Sequence, residues 1–182
     1  NQRRPNHPSR GLLRVMSNHD SRKMTTMPQI ICGFKGPYRF LSNFWAAPVQ
    51  YEGAAYPSAE HAYQAAKTTD STVREQIRAT STAGDAKRTG RYIQLRQGWY
   101  ADRLSVMRVV LLSKFSDNPD LAHKLLATGR AELVEDNDWG DTFWGSCRGV
   151  GENHLGKLLM EIRETLRLRQ GTEKAARWPE QN

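Results

Sequence analysis

Cysteine, long apolar runs and clustered histidine are all scarce in this 182-residue chain. Its two cysteines, Cys32 and Cys147, stand far apart, with no second Cys or His at metal-ligand spacing beside either. That excludes a disulfide framework and a structural zinc site, and leaves two buried or half-buried thiols. No apolar run approaches the roughly 18 to 20 residues that cross a bilayer, and nothing resembles a signal-peptide core. The chain therefore reads as cytosolic, with no membrane partner. The five histidines (His7, His19, His61, His123 and His154) are scattered, so no metal site is expected.

What is present is basic, with a formal net charge of +8, but the charge is unevenly placed. Residues 1–27 hold Arg3, Arg4, Arg10, Arg14, Arg22 and Lys23 against Asp20 alone. Residues 168–182 hold Arg169, Lys174 and Arg177 against Glu173 and Glu180, so the middle of the chain is close to neutral. The first 27 residues are rich in Asn, Arg, Ser and Pro without a sustained apolar period, which predicts a disordered basic tail. Such a tail either touches nucleic-acid phosphates or is a solvated extension. The chain opens on Asn1, as a fragment or a processed chain would. Residues 168–182 read as a polar C-terminal tail in which Trp178 docks, and the domain proper spans 28–167.

Between the tails the pattern predicts an α+β, mostly helical single domain with a few short strands and no internal repeat. Strands are expected at Ile30–Phe34, around Pro48–Gly53 with a turn at Glu52-Gly53, and at Ala131–Asp136. Apolar residues at helical spacing mark 71–81, 101–117, 119–129 and 153–169. Ser58 is placed to cap a helix that begins after Pro57, with Glu60 in its first turn.

That helix, within "YPSAEHAYQAAK" (56–67), poses the central question. Glu60, Gln64 and Lys67 are spaced i, i+4, i+7 and share one face, while alanines occupy the others. Either this is the wet face of a surface helix, or the helix is central and the stripe faces a cleft. His61 reads as a structural histidine. Two segments, Tyr38–Pro48 and Asp136–Gly156, combine aromatic and small residues, which suits a pocket that stacks a flat ring. In the second, Asp138 and Asp141 flank Trp139 and Trp144.

Seven blocks in order, "FLSNF", "YPSAEHAYQAAK", "AKRTGR" with "LRQGW", "VMRVVLLSKF", "LLATGRAELVE", "DTFWG" and "GENHLGKLLMEIR", resemble the YbiA-like group of the NADAR (NAD and ADP-ribose) superfamily. The resemblance covers about Phe34 to Leu166. It implies an N-glycosidase without a cofactor, acting where ribose C1 joins an exocyclic amine. Two substrate kinds follow from the resemblance: phosphorylated ribosylaminopyrimidine intermediates of riboflavin synthesis, and ADP-ribosylated guanine, including guanine in DNA. A basic tail on a nearly neutral domain favours the DNA-borne substrate.

Breaking such a bond builds positive charge at C1 and requires a carboxylate nearby and a proton for the departing amine. Glu60 and Asp141 are the candidates, with Asp138 in reserve. A lysine of depressed pKa offers a second route, attacking C1 of the opened sugar to give a Schiff base that water resolves. The resemblance favours that route for the guanine-linked substrate; Lys67 is the expected nucleophile and Lys87 its rival. Trp99, Trp144 and Phe44 are expected to stack on the base or frame the sugar. Lys87, Arg88 and Arg91 beside Gly90 suit a phosphate. Asn43 and Asn153 either bind ribose hydroxyls or fix loop backbone. Two other readings stay open: a module that binds ADP-ribose or NAD without cleaving it, and an inert core whose basic arm binds nucleic acid.

Overall fold

The computed structural model describes residues 29–176, with side chains described as far as residue 172. The basic segment 1–27 and the docking of Trp178 lie outside the described residues. Among the described residues six short strands and six helices build an α+β domain. In chain order they are β1 (Ile30–Cys32), a 3-10 segment (Gly36–Leu41), β2 (Ala46–Tyr51), β3 (Ala54–Ser58), α1 (Ala59–Ala65), α2 (Ser71–Arg78), α3 (Ala83–Thr89), α4 (Trp99–Ser116), α5 (Pro119–Ala127), β4 (Glu132–Val134), β5 (Asp136–Asn137), β6 (Ser146–Cys147) and α6 (His154–Ala176).

Pairing is confined to two-stranded units. β1 runs parallel to β4, with Ile31 opposite Leu133. Alternation turns Ile31 inward and Cys32 outward, so Cys32 is exposed rather than buried or half-buried as expected. β2 and β3 form an antiparallel hairpin closed by Glu52 and Gly53, both at positive φ (47° and 78°), as a two-residue turn demands. The β3 half was invisible in the sequence because "AAYPS" has little strand propensity and carries a proline, tolerated in a two-stranded hairpin that has free edges.

Two helices organise the rest. α4 packs against the hairpin strand β2, α1, α5 and α6, and its Val110, Leu111 and Phe115 are fully buried. Cutting any of these back to alanine is expected to cost about 2–5 kcal/mol. α1 is enclosed by α2, α3, α4 and the β2–β3 hairpin. Its capping matches the sequence: Ser58 Oγ accepts from the His61 N–H and lies 2.7 Å from His61 Nδ1, while His61 Nε2 meets the Thr80 carbonyl at 3.2 Å. His61 is thereby a strut between α1 and the end of α2. α6 runs on to Ala176, past the end expected from its helical spacing at 169. Among the described residues no helix is long and apolar enough to cross a membrane.

Candidate active site

Every residue of α1 is buried, Glu60 (6% exposed) and Gln64 (4%) included. A surface helix is thereby ruled out, because its polar stripe has no water to face. The stripe forms one wall of a cleft of about 990 Å³. Gln64 Nε2 donates to Glu60 Oε1 at 2.6 Å, and Lys67 Nζ donates to the Gly90 carbonyl at 3.2 Å. Lys67 follows the last turn of α1, which tightens as its N–H reaches the Gln64 carbonyl (3.3 Å). Arg96 then clamps this end: its N–H donates to the Lys67 carbonyl at 2.7 Å and its Nε to the Ala66 carbonyl at 3.1 Å.

α3 approaches α1 closely because the residue that caps its C-terminus is Gly90. A methyl group there would stand 2.9 Å from both Cβ and Cδ of Gln64 and closer still to Oε1. The φ of Gly90 is −66°, which any residue adopts, so the glycine is present for space alone. Lys87 on α3 and Arg91 just past its end both line the cleft.

The opposite wall belongs to α4 and the segment 135–144. Trp99, Arg103 and Met107 repeat the i, i+4, i+8 spacing along α4 and all three line the cleft. Tyr63 of α1 lies between two tryptophans, 5.1 Å from Trp99 and 5.4 Å edge-on to Trp144. The Arg103 guanidinium lies 3.4 Å from the centre of the Phe143 ring. Asp141 is built into a tight turn: its Oδ1 accepts from the N–H groups of Phe143 (3.2 Å) and Trp144 (2.9 Å), while Asn137 holds its backbone from both sides.

Electrostatics divide the wall. Burial pushes the Glu60 carboxyl up, opposed by the Gln64 hydrogen bond and by the charges of Lys87 and Lys67. Burial pushes the Lys67 amine down, with Glu60 opposing and Lys87 and Arg91 adding to the fall. Glu135 is raised to about 7 by burial and by Asp141. Five cations line the cleft, Arg39, Lys67, Lys87, Arg91 and Arg103. Among the described residues none of them is in a salt bridge, whereas Arg74, Arg78, Arg88, Arg96, Arg108 and Arg167 elsewhere each pair with a carboxylate. Three buried acceptors on the wall, Asn43 Oδ1, Gln64 Oε1 and Glu135 Oε2, have no partner among the described residues. Unpaired cations suit phosphate, and unpartnered acceptors suit O–H and N–H groups of a ligand.

Of the residues expected from the sequence, the fold brings Asn43, Phe44, Glu60, Lys67, Lys87, Arg91, Trp99, Asp141 and Trp144 to the cleft. Arg88, Asp138 and Asn153 are not there. Arg88 sits about 100° around α3 from Lys87 and pairs with Asp85 on the exposed side. Asp138 is exposed, and its neighbour Trp139 lines the cleft instead. Asn153 is a backbone clamp: Nδ2 donates to the Leu133 carbonyl (2.9 Å) and Oδ1 accepts from the Glu135 N–H (3.1 Å). Arg39, Tyr63, Arg103 and Glu135 were missed, and Trp139 was noted in its loop without being assigned a role. The α4 spacing from Trp99 would have found Arg103, and strand alternation past Leu133 would have found Glu135.

Among the described residues no group of three or more His, Cys, Asp or Glu is placed to hold a metal ion. The family description of the NADAR domain matches residues 33–167. The N-glycosidase YbiA of Escherichia coli is 42% identical over 132 residues, which is 71% of this chain and 82% of that protein. A riboflavin biosynthesis protein of Vibrio vulnificus is 42% identical over 130 residues, but the chain spans only 35% of its length. The solution structure of Escherichia coli YbiA superposes with a TM-score of 0.71 at 39% identity, covering 82% of this chain and 92% of that one. With the match extending over most of the described residues and over every residue that lines the cleft, the chain belongs to the NADAR domain family.

Proposed function

We propose that this chain is a hydrolase of N-glycosyl bonds that cleaves ribose C1 from an exocyclic amine of a guanine or pyrimidinone-type base. The observation that carries this reading is the buried Glu60 carboxylate on the same wall as the desolvated Lys67 amine, within a cleft lined by unpaired cations and aromatic rings. Aromatic faces take the base and cations take the phosphate. The family's relatives, named for N-glycosidase activity, support the reaction class.

Within this reading Glu60 stabilises positive charge at C1. Lys67, its amine made nucleophilic by desolvation, attacks C1 of the opened sugar and forms a Schiff base that water resolves. Lys87 is the rival; its Nζ lies over the Phe44 ring (5.5 Å to the centre), off the α1 stripe that carries Glu60. Asp141 keeps one oxygen in its turn and offers the other to the substrate.

The preferred substrate is ADP-ribosylated guanine in DNA. A cleft at the upper end of the usual range for small-molecule sites, with more cations than one phosphate engages, suits a diphosphate. Phosphate contacts from residues 1–27 would add affinity that falls steeply with salt. A phosphorylated ribosylaminopyrimidine is the second reading, favoured by the relatives named for riboflavin biosynthesis. A non-catalytic ADP-ribose or NAD module needs the rings and cations but gives no use to Glu60.

The test is a paired turnover assay, with ADP-ribosylated DNA in one arm and the ribosylaminopyrimidine phosphate in the other, each read by mass spectrometry. Release of ADP-ribose, lost in Glu60→Gln and Lys67→Ala, is the expected result. Cleavage of the pyrimidine alone would move the assignment to the second substrate. Saturable binding of ADP-ribose without product in either arm would sink the enzyme reading.

A further inference from the structure

Three carboxylates line the cleft, and they differ in what their oxygens are doing. Glu60 Oε1 accepts from Gln64, and Asp141 Oδ1 accepts from two backbone N–H groups. Among the described residues the Glu135 side chain accepts no hydrogen bond, and its Oε2 is buried. Hydrogen bonds from N–H groups favour an ionised carboxylate; a buried carboxyl without them favours the protonated acid. From the N-glycosidase reading above and this difference, we propose that Glu135 is the acid that protonates the departing amine and the base that then deprotonates the incoming water.

Its backbone is fixed for that task. Ala131, one residue before β4, and Leu133 within it are buried, and the same alternation carries Glu135 inward one residue past the strand. The Glu135 N–H donates to Asn153 Oδ1 (3.1 Å), and its carbonyl accepts from the Ser146 N–H (2.8 Å). Gly145 is packed against it: a methyl group there would run into the Glu135 carbonyl and stand 3.1 Å from its Cγ. Side chain and backbone are therefore held from both flanks, as an acid aimed at one atom requires.

The charges facing Glu135 come from four segments. Asp141 and Asp136 favour the protonated form; Lys87 of α3 and Lys35 oppose them less strongly than burial and Asp141 act. The result is a carboxyl that ionises at about 7, close to the value at which one group serves as both acid and base near neutrality.

As the C1–N bond breaks, its electron pair goes to nitrogen, the Glu135 proton goes to the same nitrogen, and the base leaves as a neutral amine. Water then adds oxygen to C1 and returns a proton to the Glu135 carboxylate. One water is consumed and a C–N bond is exchanged for C–O. If Lys67 attacks first, the same two transfers occur, and Lys67 is regenerated when water displaces it from the Schiff base. The assignment is thus independent of which route operates.

The experiment uses the full chain, Glu135→Gln and Glu135→Asp, matched for thermal unfolding. Two probes are compared: the amine-linked ADP-ribosyl-guanine and a 5-phosphoribosyl nitrophenolate, whose leaving group departs as an anion. For Glu135→Gln, the kcat on the amine substrate is expected to fall by about 10²- to 10⁴-fold and the nitrophenolate rate far less. The alkaline limb of the kcat/KM profile should disappear in Glu135→Gln and persist, with partial activity, in Glu135→Asp. An amine-substrate rate in Glu135→Gln within about threefold of wild type, or an alkaline limb that survives in it, overturns the proposal. Wild-type turnover of the amine substrate upholds the glycosidase reading whatever Glu135→Gln does. A wild type inert on both probes and on the ribosylaminopyrimidine phosphate overturns that reading and this one together.

Discussion

Replacing Gly90 with alanine sets two physical effects against each other, and the structure says which wins. Alanine at the end of a helix is better than glycine by up to about 1 kcal/mol on backbone preference alone. Gly90 has ordinary helical φ, so no strain offsets that gain. The added methyl, however, would lie 2.9 Å from Cβ and Cδ of Gln64, where carbon contacts settle at about 3.5–4.0 Å. Gln64 must move by about 0.6–1 Å, and overpacking of this kind costs about 1–3 kcal/mol. The movement also stretches the 2.6 Å bond from Gln64 to Glu60, a hydrogen bond to a charged group worth about 1.5–3 kcal/mol. The expected sum is a destabilisation of about 2–3 kcal/mol.

The same shift reaches the chemistry. The Gly90 carbonyl is also the acceptor for Lys67 Nζ, so one methyl disturbs both ends of the α1 stripe. Misplacing a reacting group by about 1 Å lowers rate by about 10²-fold. Denaturant unfolding would show a lower midpoint at unchanged slope, and turnover would fall in kcat more than in KM. Adding Gln64→Ala to Gly90→Ala removes the collision, so the double variant should be more stable than the sum of the singles by about 1 kcal/mol or more. The reasoning fails if Gly90→Ala raises stability by about 1 kcal/mol and leaves kcat unchanged.

Two further predictions are independent of that one. Borohydride added during turnover should reduce a Lys67 Schiff base to a stable amine, seen as a ribose-bearing adduct on the peptide containing Lys67; the adduct is lost in Lys67→Ala, and its appearance on Lys87 instead would reassign the nucleophile. Lys114 is fully buried, donates to the Ser42 carbonyl at 2.7 Å, and has its amine pushed down to about 7 by burial. Between about 7 and 10 the unfolded chain binds a proton that the folded chain does not, so stability rises with pH, by up to about 1.4 kcal/mol per unit. Lys114→Met should lose that slope between pH 7 and 8.5, and a wild type no steeper than the variant would contradict a neutral Lys114.

How much of this was legible in the sequence depends on what kind of information each feature needs. The Ser58 cap, the Glu52-Gly53 turn and the i, i+4, i+7 stripe are local, and local chemistry placed all three. Whether the stripe was wet was not local: it turned on α3 and α4 closing over α1, which Gly90 permits and periodicity cannot express. Arg88 was grouped with Lys87 and Arg91 because they are near in sequence, yet a helix turns about 100° per residue and separates them. Asn153 was left between two roles that only its bonds to Leu133 and Glu135 could divide. Glu135 went unnoticed because a carboxylate in a strand reads as surface until the strand's inward face is known.

The cleft's unpaired charge bears on how such a site works. Five cations without carboxylate partners are mutually repulsive, and the three carboxylates lining the cleft are held in other ways, by Gln64, by backbone N–H groups, or by protonation. The protein has thus kept its opposite charges from cancelling one another, which is unfavourable for stability and favourable for binding. On the proposed reading, a phosphorylated ribose would resolve the imbalance by supplying the missing anions. Once bound, it would leave Glu60 and Lys67 facing the sugar in a cleft from which water is displaced, where each charge acts more strongly. The binding energy of the phosphates is then available to hold C1 at the α1 stripe, and a substrate stripped of its phosphates should lose kcat as well as affinity.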